Sequence, residues 1–212
     1  MNKIKALIFD YDGVIANSDP FNKKALKYAA ESLDLTFNDN DFRNCFPGRT
    51  LLEGAELFLR PLGKISQVEK FIKLKRSFDK YYPKEVVPFT ETLDFIKKNQ
   101  NSYRLCIASG SRRILIEMFI QEFKLENMFE FFVSAEDCKK GKPDPKLYNI
   151  AISKLKLPRE QALIIEDAPL GIEAALKAGI KCLAITYTHE REELLKADVI
   201  TDSLLNVDLS KL

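Results

Sequence analysis

Six short apolar runs dominate the chain, at 4–9, 105–108, 131–133, 163–165, 182–185 and, more weakly, 199–200. They are nearly continuous rather than alternating. That is the pattern of strands covered on both faces of a parallel sheet. Stretches with apolar residues at helical spacing separate them, at 90–98, 112–123, 145–155, 169–178 and 190–196. Strand–helix alternation predicts an α/β fold, a doubly wound Rossmann-like parallel sheet. One interval breaks the rhythm. Phe9 and Leu105 lie 96 positions apart, far more than a crossover needs, and helical periodicity runs through 20–33, 51–62 and 66–82. The spacing therefore predicts a helical insert at 17–85, with 1–16 and 86–212 forming the core. Pro83 and Pro88 mark the return into the core.

Composition narrows the function classes. Thirty-three basic residues face thirty-one acidic ones, a formal charge of +2 that argues against nucleic acid as a partner. No run approaches the roughly 18 apolar residues of a membrane span, and no signal-peptide pattern opens the chain. Cys45, Cys106, Cys138 and Cys182 form no CxxC pair, which argues against a zinc cage. Cys106 and Cys182 lie inside apolar runs as small core residues, and the expectation is a reduced, cytoplasmic protein. A single histidine, His189, excludes any mechanism needing two. Nothing in the residues fixes the oligomeric state, and a monomer is compatible with them.

The polar residues just past the runs carry the chemistry. The first run ends in Asp10-Tyr11-Asp12-Gly13 and the second in Ser109-Gly110-Ser111. Gly141-Lys142-Pro143-Asp144 follows the third, and Glu166-Asp167 closes the fourth. Ligands bind at the carboxyl ends of an open parallel sheet, so these groups should converge on one crevice. Crowded carboxylates repel and stay ionised most easily around a cation. Oxygen-only ligands point to a hard ion, Mg²⁺. A magnesium ion beside an amine, a hydroxyl and free backbone N–H groups suits a phosphoryl group. Each segment alone has a plainer reading. Asp-x-Asp-Gly is a common turn, Ser-Gly a helix cap, Lys142 a solvated loop residue, and Glu166-Asp167 a helix N-terminus. Four in succession, each just past a strand, outweigh those readings.

The quartet resembles the haloacid dehalogenase-like hydrolase superfamily. Phe9-Asp10-Tyr11-Asp12-Gly13-Val14 is similar to its first motif and Ala108-Ser109-Gly110-Ser111 to its second. Gly141-Lys142-Pro143-Asp144-Pro145 is similar to its third, and Ile165-Glu166-Asp167-Ala168-Pro169 to its fourth. The insert resembles the family's C1-type cap, and the chain looks most like the β-phosphoglucomutase-like phosphatase branch. The resemblance implies that Asp10 is the nucleophile and Asp12 the acid/base. It implies that Asp10, the main-chain carbonyl of Asp12, Glu166 and Asp167 hold Mg²⁺. Ser109 and the Gly110 N–H would bind phosphate, with Lys142 offsetting charge. An acid at position 12 is needed only when an oxygen leaving group must be protonated, which favours phosphate esters over carbon–halogen bonds.

Pro47-Gly48-Arg49-Thr50 interrupts the insert's helical pattern. Arg49 would hold a second anionic group of the substrate, or else is a solvated turn residue. Tyr11 reads as packing. Asn17, Ser18 and Asp19 read as linker, and His189 as a surface loop or helix start. The expected activity is Mg²⁺-dependent hydrolysis of a small phosphorylated metabolite, a sugar or polyol phosphate, through an aspartyl-phosphate. Two alternatives stand beside it: a sugar-phosphate mutase, and a non-catalytic phosphate-binding or phospho-accepting signalling module. A mutase of the resembled branch carries a histidine twelve positions after the nucleophile, where this chain has Asn22.

Overall fold

The computed structural model describes residues 4–212. In chain order, β1 (Ala6–Phe9) leads through β2 (Ala16–Asn17) into helices α1 (Asp19–Glu31), α2 (Asp39–Cys45), α3 (Leu51–Leu59), α4 (Val68–Ser77) and α5 (Tyr82–Glu85). Then follow β3 (Val87–Pro88), α6 (Thr90–Asn99), β4 (Arg104–Ala108), α7 (Arg113–Glu122), β5 (Phe131–Val133) and α8 (Lys146–Leu155). The chain closes with β6 (Ala162–Glu166), α9 (Pro169–Ala178), β7 (Lys181–Ile185) and β8 (Val199–Thr201).

All six strand-like runs join one sheet in the order β5-β4-β1-β6-β7-β8, and every pairing in it is parallel. Strand β1 lies at the centre, with Leu7 in register with Leu105 on one side and Leu163 on the other. Its side chains alternate between two cores. Leu7 and Phe9 pack with Phe95, Ile96, Ile116 and Phe119 of α6 and α7. Ala6 and Ile8 pack with Tyr148, Ala151, Leu155 and Ile172 of α8 and α9. Helices therefore cover both faces, which is why the strand sequences are apolar throughout. Truncating Ile8, fully buried at the centre, would cost about 2–5 kcal/mol. Strand order reverses at β1, between β4 and β6. That switch point opens a crevice at the strands' carboxyl ends.

The segment between β2 and β3 is helical and encloses an aromatic cluster of its own, including Phe42, Phe46, Phe58 and Phe71. Two of its helices begin at sequence-encoded caps. Thr50 and Glu53 form a capping box on α3, and Asn38 and Asp41 form one on α2. The 66–82 periodicity is not one helix. Helix α4 ends at Ser77, a tight turn covers Asp79–Tyr81, and α5 begins at Tyr82. Pro83 explains the break, since its ring would clash with the carbonyl four residues back and it has no N–H to donate. The 190–196 stretch is a single 3₁₀ turn, Arg191–Leu194, with Leu194 as its one buried residue. The chain leaves and re-enters the sheet through paired strands, with Ala16 opposite Pro88 and Asn17 opposite Val87. Among the described residues, no helix is long and apolar enough to cross a membrane.

Candidate active site

The carboxyl ends of β1, β4 and β6 bring the motif residues together. Asp10 directly follows β1, and its N–H donates to the Ile165 carbonyl at 2.9 Å. The chain then turns sharply, with the Ile15 and Ala16 N–H groups both donating to the Tyr11 carbonyl. Gly13 sits in that turn at φ +79°, and a Cβ there would run into the Asp167 carboxylate. Only glycine satisfies both demands. Ser109 is fully buried after β4, and its hydroxyl accepts the Ser111 N–H at 2.9 Å. Among the described residues other than its chain neighbours, nothing lies within 4 Å of where a Cβ of Gly110 would stand.

A buried charge network forms the floor. Lys142 Nζ lies 2.8 Å from Asp10 Oδ1 and 2.5 Å from Glu166 Oε1. Tyr148 donates its hydroxyl to the same Glu166 oxygen at 2.7 Å. The Asp167 and Ala168 N–H groups donate to the other Glu166 oxygen at 2.8 and 3.0 Å. Glu166 thus accepts from four donors, and a Cβ at Gly171 would collide with it. Burial acts to raise the Glu166 pKa, but Lys142 and the other donors outweigh it and hold it low. Burial works against the Lys142 charge too, and Asp10 with Glu166 holds the ammonium protonated. Asp10 goes the other way. Burial pushes it up to about 7, against the pull of Lys142 and with help from Glu166 and Asp12. Asp167 is raised well above the carboxylate range by burial and by Glu166 and Asp10.

These are the signs of a site built for a cation. Asp10, Glu166 and Asp167 offer oxygens that all lie within 4.8 Å of one another. Among the described residues, Asp167 Oδ1 is buried without a hydrogen-bond partner. Such an oxygen is costly unless something positive meets it. The all-oxygen set fits a hard divalent ion. The Asp12 carboxylate stands outside that cluster. It accepts hydroxyls from Ser18 and Ser111, each at 2.5 Å, and more weakly from Ser109 at 3.3 Å.

The cluster opens into a cavity of ≈ 150 Å³. Arg49, Asn22 and Asp19 line it from the helical segment, and Ser109, Gly110 and Lys142 from the sheet side. Gly48 packs against Leu170, with a would-be Cβ only 3.0 Å from the leucine Cβ, so the 47–50 loop is seated on the N-terminus of α9. Tyr11 is buried, as expected of a packing residue, and shares a 2.9 Å hydrogen bond with Tyr82.

Sequence reasoning missed several residues here. Ser18, read as linker, is buried and holds Asp12. Thr188, just past β7, donates its hydroxyl to Asp167, and its oxygen lies 2.8 Å from His189 Nδ1. His189, read as a surface loop, lines the cavity. Both follow a sheet strand at its carboxyl end, and that signal applied to β7 as well as to β1, β4 and β6 would have found them. Lys75 and Arg112 also line the cavity.

An open parallel sheet with a buried lysine and an acidic cluster at its switch point defines a Rossmann-like α/β protein with a candidate active site at the strands' carboxyl ends. The chain belongs to the haloacid dehalogenase-like hydrolase family, which it matches over residues 7–185. It is therefore an enzyme of the hydrolase class. The phosphorylated carbohydrates phosphatase of Thermotoga maritima is 28% identical over 215 residues, covering 96% of this chain and 98% of the relative. The β-phosphoglucomutase of Bacillus subtilis is 28% identical over 219 residues, covering 99% of this chain and 94% of that one. The crystal structure of CbbY from Rhodobacter sphaeroides in complex with phosphate has the same fold. Its TM-score is 0.86 at 23% identity, over 99% of this chain and 100% of that chain.

Proposed function

We propose that this hydrolase is a Mg²⁺-dependent phosphatase of a small phosphorylated metabolite, a sugar or polyol phosphate, acting through an aspartyl-phosphate on Asp10. The observation that carries the reading is the buried cluster of Asp10, Lys142, Glu166 and Asp167 facing a cavity of ≈ 150 Å³. The small volume supports a small-molecule substrate, and a full-length relative is a phosphatase of phosphorylated carbohydrates.

Asp10 and Asp167, with Glu166 behind them, would hold the ion together with the Asp12 main-chain carbonyl. When bound, Mg²⁺ supplies positive charge to the phosphoryl oxygens and keeps the crowded carboxylates ionised. Ser109 and the Gly110 N–H would orient the phosphoryl group, with Lys142 balancing its charge. Asp10 Oδ would attack phosphorus as the ester oxygen leaves. Asp12 would give that oxygen its proton, and would then take one from the water that cleaves the aspartyl-phosphate. Ser18, Ser109 and Ser111 orient Asp12 for both transfers. The helical segment would act as a cap, excluding bulk water and letting Arg49 select the leaving group.

Two arms test the reading. Phosphate release across a panel of sugar and polyol phosphates is expected to require Mg²⁺ and to stop on chelation. Full activity in excess chelator contradicts the metal assignment. The mutase reading draws on the B. subtilis relative. Against it, the cavity presents the amide of Asn22, which cannot shuttle a proton. With β-glucose 1-phosphate and a bisphosphate primer, free phosphate is expected to outrun glucose 6-phosphate. The reverse order establishes the mutase.

A further inference from the structure

Among the described residues, three cavity-lining cations remain beyond Lys142: Arg49 from the 47–50 loop, Lys75 from α4 and Arg112 at the start of α7. Two of them share one carboxylate. Asp79, in the turn between α4 and α5, lies 2.5 Å from Arg112 Nη1 and 3.4 Å from Lys75 Nζ. Its side chain is 12% exposed and that of Lys75 is 8% exposed. Arg112 is one-third exposed and belongs to the sheet-side core, so the pair crosses from the helical segment to the core. Asp79 itself does not line the cavity. It holds both cations from behind.

That position has a consequence for charge. An anion reaching this wall meets two cations already committed to a carboxylate. A second phosphoryl group, carrying about two negative charges, would compete with Asp79 for both and would be repelled by it. A neutral, hydroxyl-rich leaving group faces no such competition, because the wall's N–H donors can still donate to hydroxyl oxygens. We propose that Asp79 is a specificity-determining residue that favours monophosphates over bisphosphates by neutralising one of the two positive charges of Lys75 and Arg112. The inference rests on the phosphatase reading and names its substrate class.

Binding separates the two claims. In an Asp10→Asn background, which prevents turnover, calorimetry with Mg²⁺ present measures the affinities for fructose 6-phosphate and fructose 1,6-bisphosphate. Adding Asp79→Asn keeps the side chain's shape and frees one positive charge. The bisphosphate-to-monophosphate affinity ratio is expected to rise about tenfold. A further Arg112→Gln is expected to cancel that rise. Arg112→Gln with Asp79 intact provides a second variant should the first fail to fold. With the Arg112 charge held by Asp79, it is expected to shift the ratio by less than about threefold, and a tenfold fall, which would mean that Arg112 already serves the second phosphoryl group, overturns the inference. An unchanged ratio on Asp79→Asn, equal weakening of both ligands by it, or no binding of either also overturns the inference. Phosphate release by the unsubstituted enzyme from fructose 6-phosphate and the wider panel tests the phosphatase reading separately. Its absence removes that reading, while the affinity ratio still decides the role of Asp79.

Discussion

Asp167 owes its place to the adjacent Glu166 and to two neighbours from distant parts of the chain. Gly13 makes room for it, Glu166 precedes it, and Thr188 donates a hydroxyl to it. A hydroxyl that orients a metal-binding carboxylate typically contributes 10–100-fold in affinity. Thr188→Val keeps the shape and removes the donor, so Mg²⁺ affinity is expected to fall by about that factor with the fold intact. Titration calorimetry checks this, and unchanged affinity would leave Thr188 a packing residue. Asp12 gives a second test. Asp12→Asn is expected to lower kcat by roughly 10²–10⁴-fold, more for alkyl than for aryl phosphates, since only a poor leaving group needs its proton. Steady-state rates on the two ester types measure the difference. At this scale the acids and Lys142 were legible in the sequence because each follows a strand-like run. Ser18, Thr188 and Asp79 were not, because their partners stand 6, 21 and 33 positions away and only the fold brings them close.

Single elements carry their own constraints. The turn after β1 works only with φ +79° at position 13 and with no side chain there. Gly13→Ala is therefore expected to cost about 1–3 kcal/mol for the conformation alone, plus displacement of Asp167. A denaturant midpoint shift with loss of Mg²⁺ binding is the outcome to look for. Elements with strong burial were read correctly, β1 from its continuous apolar run and α7 from its helical periodicity. Helix α2 was not foreseen, because Asp39-Asn40-Asp41-Phe42-Arg43-Asn44-Cys45 buries only Phe42 and has little periodicity. Its signal is the cap: Asn38 accepts the Asn40 and Asp41 N–H groups, and Asp41 takes the Asn38 N–H in return. The 190–196 stretch failed in the opposite sense. Leu194 and Leu195 suggest a helical face, but Leu195 is 70% exposed, so one buried leucine cannot hold a helix in place.

For the whole molecule, the cluster at the switch point links folding to pH. Without metal, Asp10 has a folded pKa of about 7 against an unfolded value of 3.8. The folded state then binds more protons than the unfolded state between those values. Stability is greatest below about pH 4 for this group and is lost as pH rises through about 7, by a few kcal/mol. Thermal unfolding in chelator is expected to show Tm falling across that window more steeply than in Asp10→Asn, where only the share of Asp167 remains. Mg²⁺ competes with the proton and should flatten the curve. A wild-type profile parallel to that of Asp10→Asn would contradict this. The architecture itself was open to sequence reading, since parallel strands write their double-sided burial into the chain. The way the helical segment meets the core was not, as it depends on contacts such as Gly48 with Leu170 and Asp79 with Arg112.

The central claim is that Asp10 becomes phosphorylated. Borohydride reduces an acyl phosphate to an alcohol, so quenching the working enzyme with it converts a phosphorylated aspartate to homoserine. Peptide mass spectrometry after turnover with Mg²⁺ and a hydrolysed sugar phosphate is expected to find homoserine at position 10, and none without substrate. Homoserine at another aspartate, or unmodified Asp10 while phosphate is being released, would contradict the account.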